Sequence, residues 1–516
     1  MINDPYALLA LDWSLVERQE GTSLTREEAW KHAGNPILHE GRKEMCLGLP
    51  CYRSVVDTVV AEGGLWRMWY HVQPWAGSHG ASVREPVFHA YAESEDGLDF
   101  HPVKVGTVAW KGSRRNNLLE HRGPNGLTLG SILHDPQDRE APYKALAMEQ
   151  RRIGDVNPGV RARFPERFPD LEKKMAFVKG LARSRDGLHW EWPSGSGLLV
   201  DEAIEGPRLS RCPDGGYLIA SQMHTPTSTL DGRRVKGFVT YDGERAYRLP
   251  GYVFEMADHI TRVQGCYASP LWSHGHWAQS HMAMVPARKG PTMVALHGFL
   301  YGAPMAETHA QVADIGLAVG NSGYGYQQVW PFVPFLRRGN RGEWDCGLVW
   351  QCDMAETRER TLFYYGASSV GNAAGCHYRA GVGYIPCDRY AYRALAVFRD
   401  YNAPKARRGE FTLRAQTLPD KPALAINVSH VTRRRTVRVE LRDASDRPIP
   451  GFAFSDGVPV TAEGLRRPVR WRARNVRSLA GQAVKIAVEL QSPDCQFGDQ
   501  DSPRVYALYT KGNGND

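Results

Sequence analysis

The sequence predicts an all-β protein, a five-bladed β-propeller followed by a β-sandwich, and two observations predict it. The first is a repeat of short aromatic or apolar strands whose first residues lie 77, 74, 76 and 69 positions apart. A β-type repeat at a nearly fixed period indicates radial repetition of small sheets. The second is a change to strictly alternating strands after residue 410, which is typical of an antiparallel sandwich. The five repeated strands begin at Trp66, Tyr143, Tyr217, Met293 and Leu362.

Turn signals between the repeated strands support the propeller. Residues 94–100 and 184–190 are two copies of Ser-x-Asp-Gly-x-x-aromatic, and Gly243 and Gly323 lie at comparable places in later repeats. Asp-Gly suits a type I′ hairpin turn, in which both central residues need positive φ. These motifs predict architecture and say little about function.

The length of 516 residues favours one large domain with at least one smaller one. We expect residues 1–50 to pack on the propeller, residues 51–400 to form it, and residues 410–516 to form the sandwich. Thr25, with Glu28 three positions on, has the pattern of a helix cap, which predicts a short helix in the N-terminal segment.

Charge and cysteine content narrow the classes of partner and compartment. The net charge of +8 comes from scattered arginines, which are usually solvated, so we expect no nucleic-acid partner. Nine irregularly spaced cysteines fit neither a disulfide framework nor a zinc pattern, and they favour a reducing compartment. Without a signal-like or long apolar segment, the sequence predicts a cytoplasmic protein that does not enter membranes. It leaves the oligomeric state open.

The third repeat carries the most specific motif. Glu205-Gly206-Pro207-Arg208 precedes a Pro-Asp-Gly-Gly turn and the strand that begins at Tyr217. Here the chain resembles the five-bladed propeller glycoside hydrolases, the group of arabinofuranosidases, xylosidases, invertases and levansucrases. The resemblance implies that Glu205 is the general acid.

The first repeat supplies a partner for this acid. In the resembling families an Asp opens the innermost strand of the first blade and serves as base or nucleophile, and Asp57 fits that place. Thr58 stands where those families usually have a proline. The alternative interpretation is an Asp that caps a turn at the start of a strand. Burial of an Asp among valines is costly unless it is paired or lines a wet cavity.

The second repeat lacks the further acid that those families place there. Asn117 and Asn125 are candidates for hydrogen bonds to a sugar hydroxyl, but neither can act as a carboxylate. Asp345, in the fifth repeat, opens a blade in the same manner as Asp57 and is the candidate carboxylate in place of Asp57. Arg208 is a candidate substrate-binding residue.

The fourth and fifth repeats contribute further candidates for the site. Trp272 and His276 are predicted to contact substrate; the histidines at 274, 276 and 281 also allow a metal site. Some resembling enzymes hold a calcium ion or a water in the central channel through a histidine, and His377 is the candidate for that position.

The resemblance implies an exo-acting glycoside hydrolase for a furanoside or another small glycoside, with a carbohydrate partner and no required cofactor. Two other classes stay open. One is a propeller that binds a glycan or a protein without chemistry, and the other is a glycoside phosphorylase or transglycosylase. Phosphorolysis needs cations at the cavity, which Arg53, Arg67 and Arg208 could supply.

Overall fold

The structure is a computed structural model. It describes residues 3–37, 51–74, 88–152, 174–254, 277–330, 333–371, 378–396 and 407–511, apart from 111, 120–122, 196, 225–232, 252, 303–311 and 496–499. In these ranges the helical segments are three short 3-10 helices, Trp13–Leu15, Pro124–Gly126 and Val476–Leu479. None of the described helices could cross a membrane.

The described residues contain thirty strands. The N-terminal strands β1–β5 are Asn3–Asp4, Ala7–Leu9, Val16–Glu20, Thr22–Arg26 and Trp30–Lys31. Strands β6–β9 are Cys51–Glu62, Leu65–Pro74, Phe88–Ser94 and His101–Pro102. Strands β10–β12 are Thr128–His134, Tyr143–Arg152 and Lys174–Ser184. Strands β13–β16 are Val200–Arg211, Tyr217–His224, Arg233–Thr240 and Ala246–Arg248.

The remaining strands complete the propeller and form the C-terminal sheets. Strands β17–β20 are Trp277–Lys289, Thr292–Gly302, Val312–Gly320 and Gln327–Gln328. Strands β21–β23 are Leu348–Glu356, Arg360–Ser368 and Arg379–Pro386. Strands β24–β30 are Ala391–Leu395, Arg408–Thr417, Ala425–Ser429, Thr436–Arg442, Gly464–Pro468, Ala483–Gln491 and Arg504–Tyr509.

Five antiparallel blades surround a central channel, and this confirms the predicted propeller. The first strands of the blades, β6, β10, β13, β17 and β21, contact one another in sequence, and β21 contacts β6. Thr58 Oγ1 donates to the Ile132 carbonyl at 2.6 Å, which ties the first blade to the second. The Val59 N–H donates to Asp353 Oδ2 at 2.6 Å, which ties the first blade to the fifth. The repeated aromatic strands are the second strand of each blade.

The Ser-x-Asp-Gly turns join neighbouring blades. Trp69 Nε1 donates to the Gly187 carbonyl at 2.8 Å, and the Tyr364 hydroxyl donates to the Gly97 carbonyl at 2.7 Å. Both glycines have φ of +76°, but the preceding aspartates do not have positive φ, so the predicted type I′ geometry is wrong. Instead, Asp96 Oδ1 accepts hydrogen bonds from the backbone N–H groups of Leu98 and Asp99, which stabilises a turn with one left-handed residue.

The N-terminal segment pairs with strands of the propeller and with strands of the C-terminal sheets. Strands β2, β3 and β4 pair with the C-terminal strands β30, β25 and β24, whereas β1 pairs with β17 and β5 with β23. The helix predicted from Thr25 and Glu28 is wrong, because Thr22–Arg26 is a strand. Pairing with β24 satisfies its backbone groups, and this tertiary contact overrides the local capping pattern. The boundaries at residues 51, 400 and 410 stay predictions.

The C-terminal strands form two packed sheets, as predicted for a sandwich. One sheet has the order β28-β26-β30-β24-β4 with β2 beside β30, and the other has the order β27-β29-β25-β3. Their shared core includes Phe411, Ile426 and Val488. Tyr509 and Ala425 pack instead in the cluster that contains Phe363 of the fifth blade. In the sheet that contains β26 and β30, the face that alternation predicts to be solvated is therefore covered by the propeller.

Candidate active site

All five inner strands break their pairing register as they pass along the channel. The breaks lie between Val56 and Thr58, Leu129 and Ile132, Glu205 and Arg208, His281 and Val285, and Trp350 and Asp353. A β-bulge bends its strand and re-aims a side chain. The bulges of blades one, three and five bring together Asp57, Arg208 and Asp353.

Asp57 is buried, and its contacts come from two other blades. Arg208 Nη1 donates to Asp57 Oδ1 at 2.7 Å and to its backbone carbonyl at 2.5 Å. The Ile132 N–H donates to Asp57 Oδ2 at 3.2 Å. The side chain thus accepts bonds from blades two and three. This network explains how a carboxylate can be buried among valines. Its donors come from other blades and not from a turn at the start of the strand, so it does not match the turn-capping interpretation.

The neighbours of Asp57 keep its carboxyl group ionised. Burial by itself raises the pKa of a carboxyl group, but His89 and the Arg208 guanidinium outweigh it and lower the pKa of Asp57 to about 2. His89 Nε2 lies 3.8 Å from Asp57 Oδ2, which is longer than an ordinary hydrogen bond. We therefore regard Arg208 as the principal partner of Asp57.

Asp353 is a second channel carboxyl group, and the sequence analysis missed it. Burial raises the pKa of Asp353 to about 6, although the Arg208 charge and the Val59 N–H oppose this rise. Asp57, Arg208 and Asp353 each lie nine residues before the aromatic strand of their own blade, which begins at Trp66, Tyr217 and Leu362. Position within the repeat was therefore the signal that could have identified Asp353.

Glu205 lies on the same strand as Arg208, towards the end of the channel where the inner strands begin. Glu205 pairs with Gln222 and Arg208 pairs with Ala220, so the bulge brings both residues onto the same face of the strand. The Glu205 side chain is exposed, and its backbone N–H donates to Ser221 Oγ at 3.1 Å. The predicted acid is thus open to solvent on the face that carries Arg208.

A cavity of about 180 Å³ lies beside Asp353. Its lining includes Thr58, Ser131, Arg208, Met293 and Asp353. Thr58, Arg208 and Asp353 follow the bulges on their strands, so the cavity lies towards the end of the channel where the inner strands finish.

Two histidines stand behind Asp57 within the first blade. His71 and His89 are direct cross-strand partners on β7 and β8, and their Nε2 atoms lie 2.7 Å apart. His89 is buried and His71 is partly exposed. Neither residue could be recognised from the sequence, because β7 and β8 each contain a single histidine and no motif around it.

The structure places three other predicted residues apart from Asp57. Asn117 is buried, and its amide donates to the Tyr70 hydroxyl at 2.8 Å and the Tyr91 carbonyl at 3.0 Å, within the first blade. Asp345 is buried and pairs at 2.5 Å with Lys31 of β5, the outermost strand of the fifth blade. Asn125 is exposed on the turn that precedes β10. Their predicted roles have no support from these contacts.

The remaining predicted positions lie outside the described residues. They are Trp272, His276 and the possible metal ligand His377. Calcium binds six to eight oxygen ligands. The described groups around Asp57 do not fit calcium, because imidazole nitrogens rather than oxygens lie on the side of its Oδ2.

Comparisons with known proteins give structural likenesses at low identity. No family model and no curated protein matches the chain. A glycosyl hydrolase from Bacteroides ovatus has a TM-score of 0.43 at 14% identity, over 71% of this chain and 95% of that one. A glycoside hydrolase family 32 β-fructofuranosidase from Bombyx mori has a TM-score of 0.39 at 11% identity, over 92% and 94%.

A third similar structure comes from a study of family 130, described as mannoside phosphorylases that include hydrolases of β-1,2-mannosidic linkages. It has a TM-score of 0.42 at 14% identity, over 73% of this chain and 96% of that one. The case for an activity in this chain depends on its own side chains.

Proposed function

We propose that this protein hydrolyses a glycosidic bond, as an exo-acting enzyme on a furanoside or another small glycoside. The observation that carries the proposal is the meeting of carboxyl groups from different blades around Arg208. Asp57 contacts Arg208 directly, Asp353 faces the same channel, and Glu205 lies on the Arg208 face of β13. Glycosidic hydrolysis uses two carboxyl groups on opposite sides of the sugar ring.

Each carboxyl group has an environment suited to a different part of this reaction. Asp57, held by Arg208 and two backbone groups, is the base that activates water or the nucleophile that attacks the sugar. Glu205, which is exposed on the same face as Arg208, is the acid that protonates the leaving oxygen. Asp353 is the third carboxyl group, in place of the acid that is missing from the second repeat. Burial, with a smaller contribution from the Asp57 charge, raises the pKa of Asp353, so Asp353 is suited to retain a proton.

Hydrolysis fits the described cations better than phosphorolysis does. Arg208 is paired with Asp57, and Arg67 Nη1 lies 3.6 Å from Glu62 and donates to the Tyr143 hydroxyl at 3.1 Å. A phosphate ion would have to compete with these partners. A purely binding propeller would not require a buried carboxylate with an arginine that reaches it from another blade, because such a pair is costly to desolvate.

A panel of aryl and natural glycosides, with furanosides first, tests the proposal. Glu205→Gln should lower kcat/KM on the accepted substrate by about 10²–10⁴, the usual contribution of a general acid. The matched control is Glu202→Gln on the same strand, because Glu202 pairs with Lys236 and Arg248 on the blade. Full turnover by the Glu205 variant would remove Glu205 from the mechanism. No turnover of any glycoside by the wild-type protein would favour a binding propeller.

A further inference from the structure

Three potential ligand atoms converge behind the channel. Asp57, His71 and His89 each offer one ligand atom, and these three atoms lie within 4.8 Å of one another. The two imidazole nitrogens are 2.7 Å apart, and His89 Nε2 is 3.8 Å from Asp57 Oδ2. Asp57 and His89 are buried, whereas partial exposure of His71 leaves a side for entry from solvent.

We propose that Asp57, His71 and His89 bind a divalent transition-metal ion, with Zn²⁺ as the representative ion. Two imidazoles and one carboxylate are ligands that Zn²⁺ accepts, and three protein ligands leave a fourth position for water. Tetrahedral ligation at Zn²⁺ bond lengths puts ligand atoms roughly 3.3–3.5 Å apart. This spacing lies between the 2.7 Å and 3.8 Å separations observed. A small rotation of the His71 ring away from His89 therefore makes room for the ion.

The groups around Asp57 support this ligand set. Arg208 Nη1 holds Oδ1 at 2.7 Å, and the Ile132 N–H reaches Oδ2 at 3.2 Å. Such outer partners orient a ligating carboxylate and are a regular part of metal sites. Oδ2 accepts one hydrogen bond from Ile132 and keeps its second lone pair for a metal.

The histidine pair is also compatible with metal binding. Two imidazole nitrogens at 2.7 Å cannot both carry a proton, so the pair in the metal-free protein requires one donor and one acceptor. A metal ion lets both neutral rings donate a lone pair instead. His71 and His89 are direct cross-strand neighbours, which fixes their relative position within the first blade.

This inference does not rest on the proposed hydrolysis. A bound ion occupies Asp57 Oδ2, so this oxygen cannot accept a proton at the same time. We therefore expect Zn²⁺ to inhibit hydrolysis, and a chelator-treated protein is the form in which to assay turnover. Direct measurement of metal binding separates a failure of this inference from a failure of the proposed function.

Equilibrium dialysis of the untagged full chain against Zn²⁺, followed by elemental analysis, tests the site. The wild-type protein should hold one more Zn²⁺ per chain than His71→Ala, and the affinity of this site should fall at least tenfold in that variant. His189→Ala is the matched control, because His189 forms an exposed pair with Asp186 at 2.8 Å without a second imidazole. It should bind Zn²⁺ as the wild type does. Equal Zn²⁺ content and affinity in the wild type and His71→Ala would overturn the proposal.

His89→Asn and competition by calcium provide two further readouts. His89→Asn should lose the same Zn²⁺, and circular dichroism shows whether this buried variant folds; if it does not, His71→Ala still decides. Imidazole ligands favour Zn²⁺ over Ca²⁺. Retention of the ion in excess Ca²⁺ therefore supports the ligand set, whereas its displacement by Ca²⁺ at equal concentration contradicts it.

Discussion

Arg208 of the third blade reaches Asp57 of the first, with Nη1 2.7 Å from Oδ1 and 2.5 Å from the backbone carbonyl of the same residue. The two residues are 151 positions apart in the chain. The contact therefore joins two non-adjacent blades through the channel. It also holds a carboxylate ionised in a place where burial alone would favour the neutral acid.

Removal of this arginine should destabilise the fold. Arg208→Met leaves the Asp57 charge buried with one backbone N–H and two imidazoles, and loss of one partner of a buried pair costs about 3–5 kcal/mol. Urea unfolding measures the difference. Arg434→Ala is the control, because Arg434 is 74% exposed in its pair with Asp494 and should change the free energy of unfolding by less than about 1 kcal/mol.

The double variant Arg208→Met/Asp57→Asn refines this prediction. It removes both charges, so it should recover most of the stability that Arg208→Met loses. If the double variant is as unstable as the single one, the loss comes from the missing arginine stem rather than from an unpaired carboxylate.

A second prediction concerns the turn that joins the first and second blades. Gly187 has φ of +76°, and a Cβ there would lie 2.5 Å from Trp69. Gly187→Ala should therefore cost about 1–2 kcal/mol for its backbone and about 1–3 kcal/mol more for the clash with the ring. A comparison of the thermal unfolding of Gly187→Ala with that of Gly63→Ala isolates the destabilisation caused by the clash. Gly63 has φ of +62° and open space around it, so its substitution affects only the backbone. Equal losses in the two variants would mean that the turn is not closely packed on Trp69.

A third prediction concerns the pH dependence of stability at Asp353. Its pKa is about 6 in the folded protein against 3.8 for an ordinary Asp, so the folded state binds more protons between these values. This contribution to stability is present below about pH 4 and is lost as pH rises to about 6. Asp353→Asn lacks it, so the free energy of unfolding of the wild type should fall relative to this variant by up to about 3 kcal/mol between pH 4 and 7. A difference that does not change with pH would contradict the raised pKa.

The propeller could be predicted because its periodic aromatic strands and its Asp-Gly turns are visible as short local patterns in the sequence. The repeat also led to Asp57 and Arg208. Asp353 was missed because Asp345 stood in a motif that seemed to open a blade, although Asp345 pairs with Lys31 at the outer edge.

His71 and His89 could not be predicted as a pair, because cross-strand register depends on where the loop between two strands ends. Strands β2 and β4 were missed because their partners lie more than 350 residues away.

The role of Asp57 in turnover is the most direct test of the account. Asp57→Asn preserves shape and removes the carboxylate, and it should lower kcat/KM of the chelator-treated protein on its best glycoside by about 10²–10⁴. Circular dichroism and the urea midpoint establish that the variant is folded. A folded Asp57→Asn protein that hydrolyses the same glycoside at the wild-type rate would contradict the account.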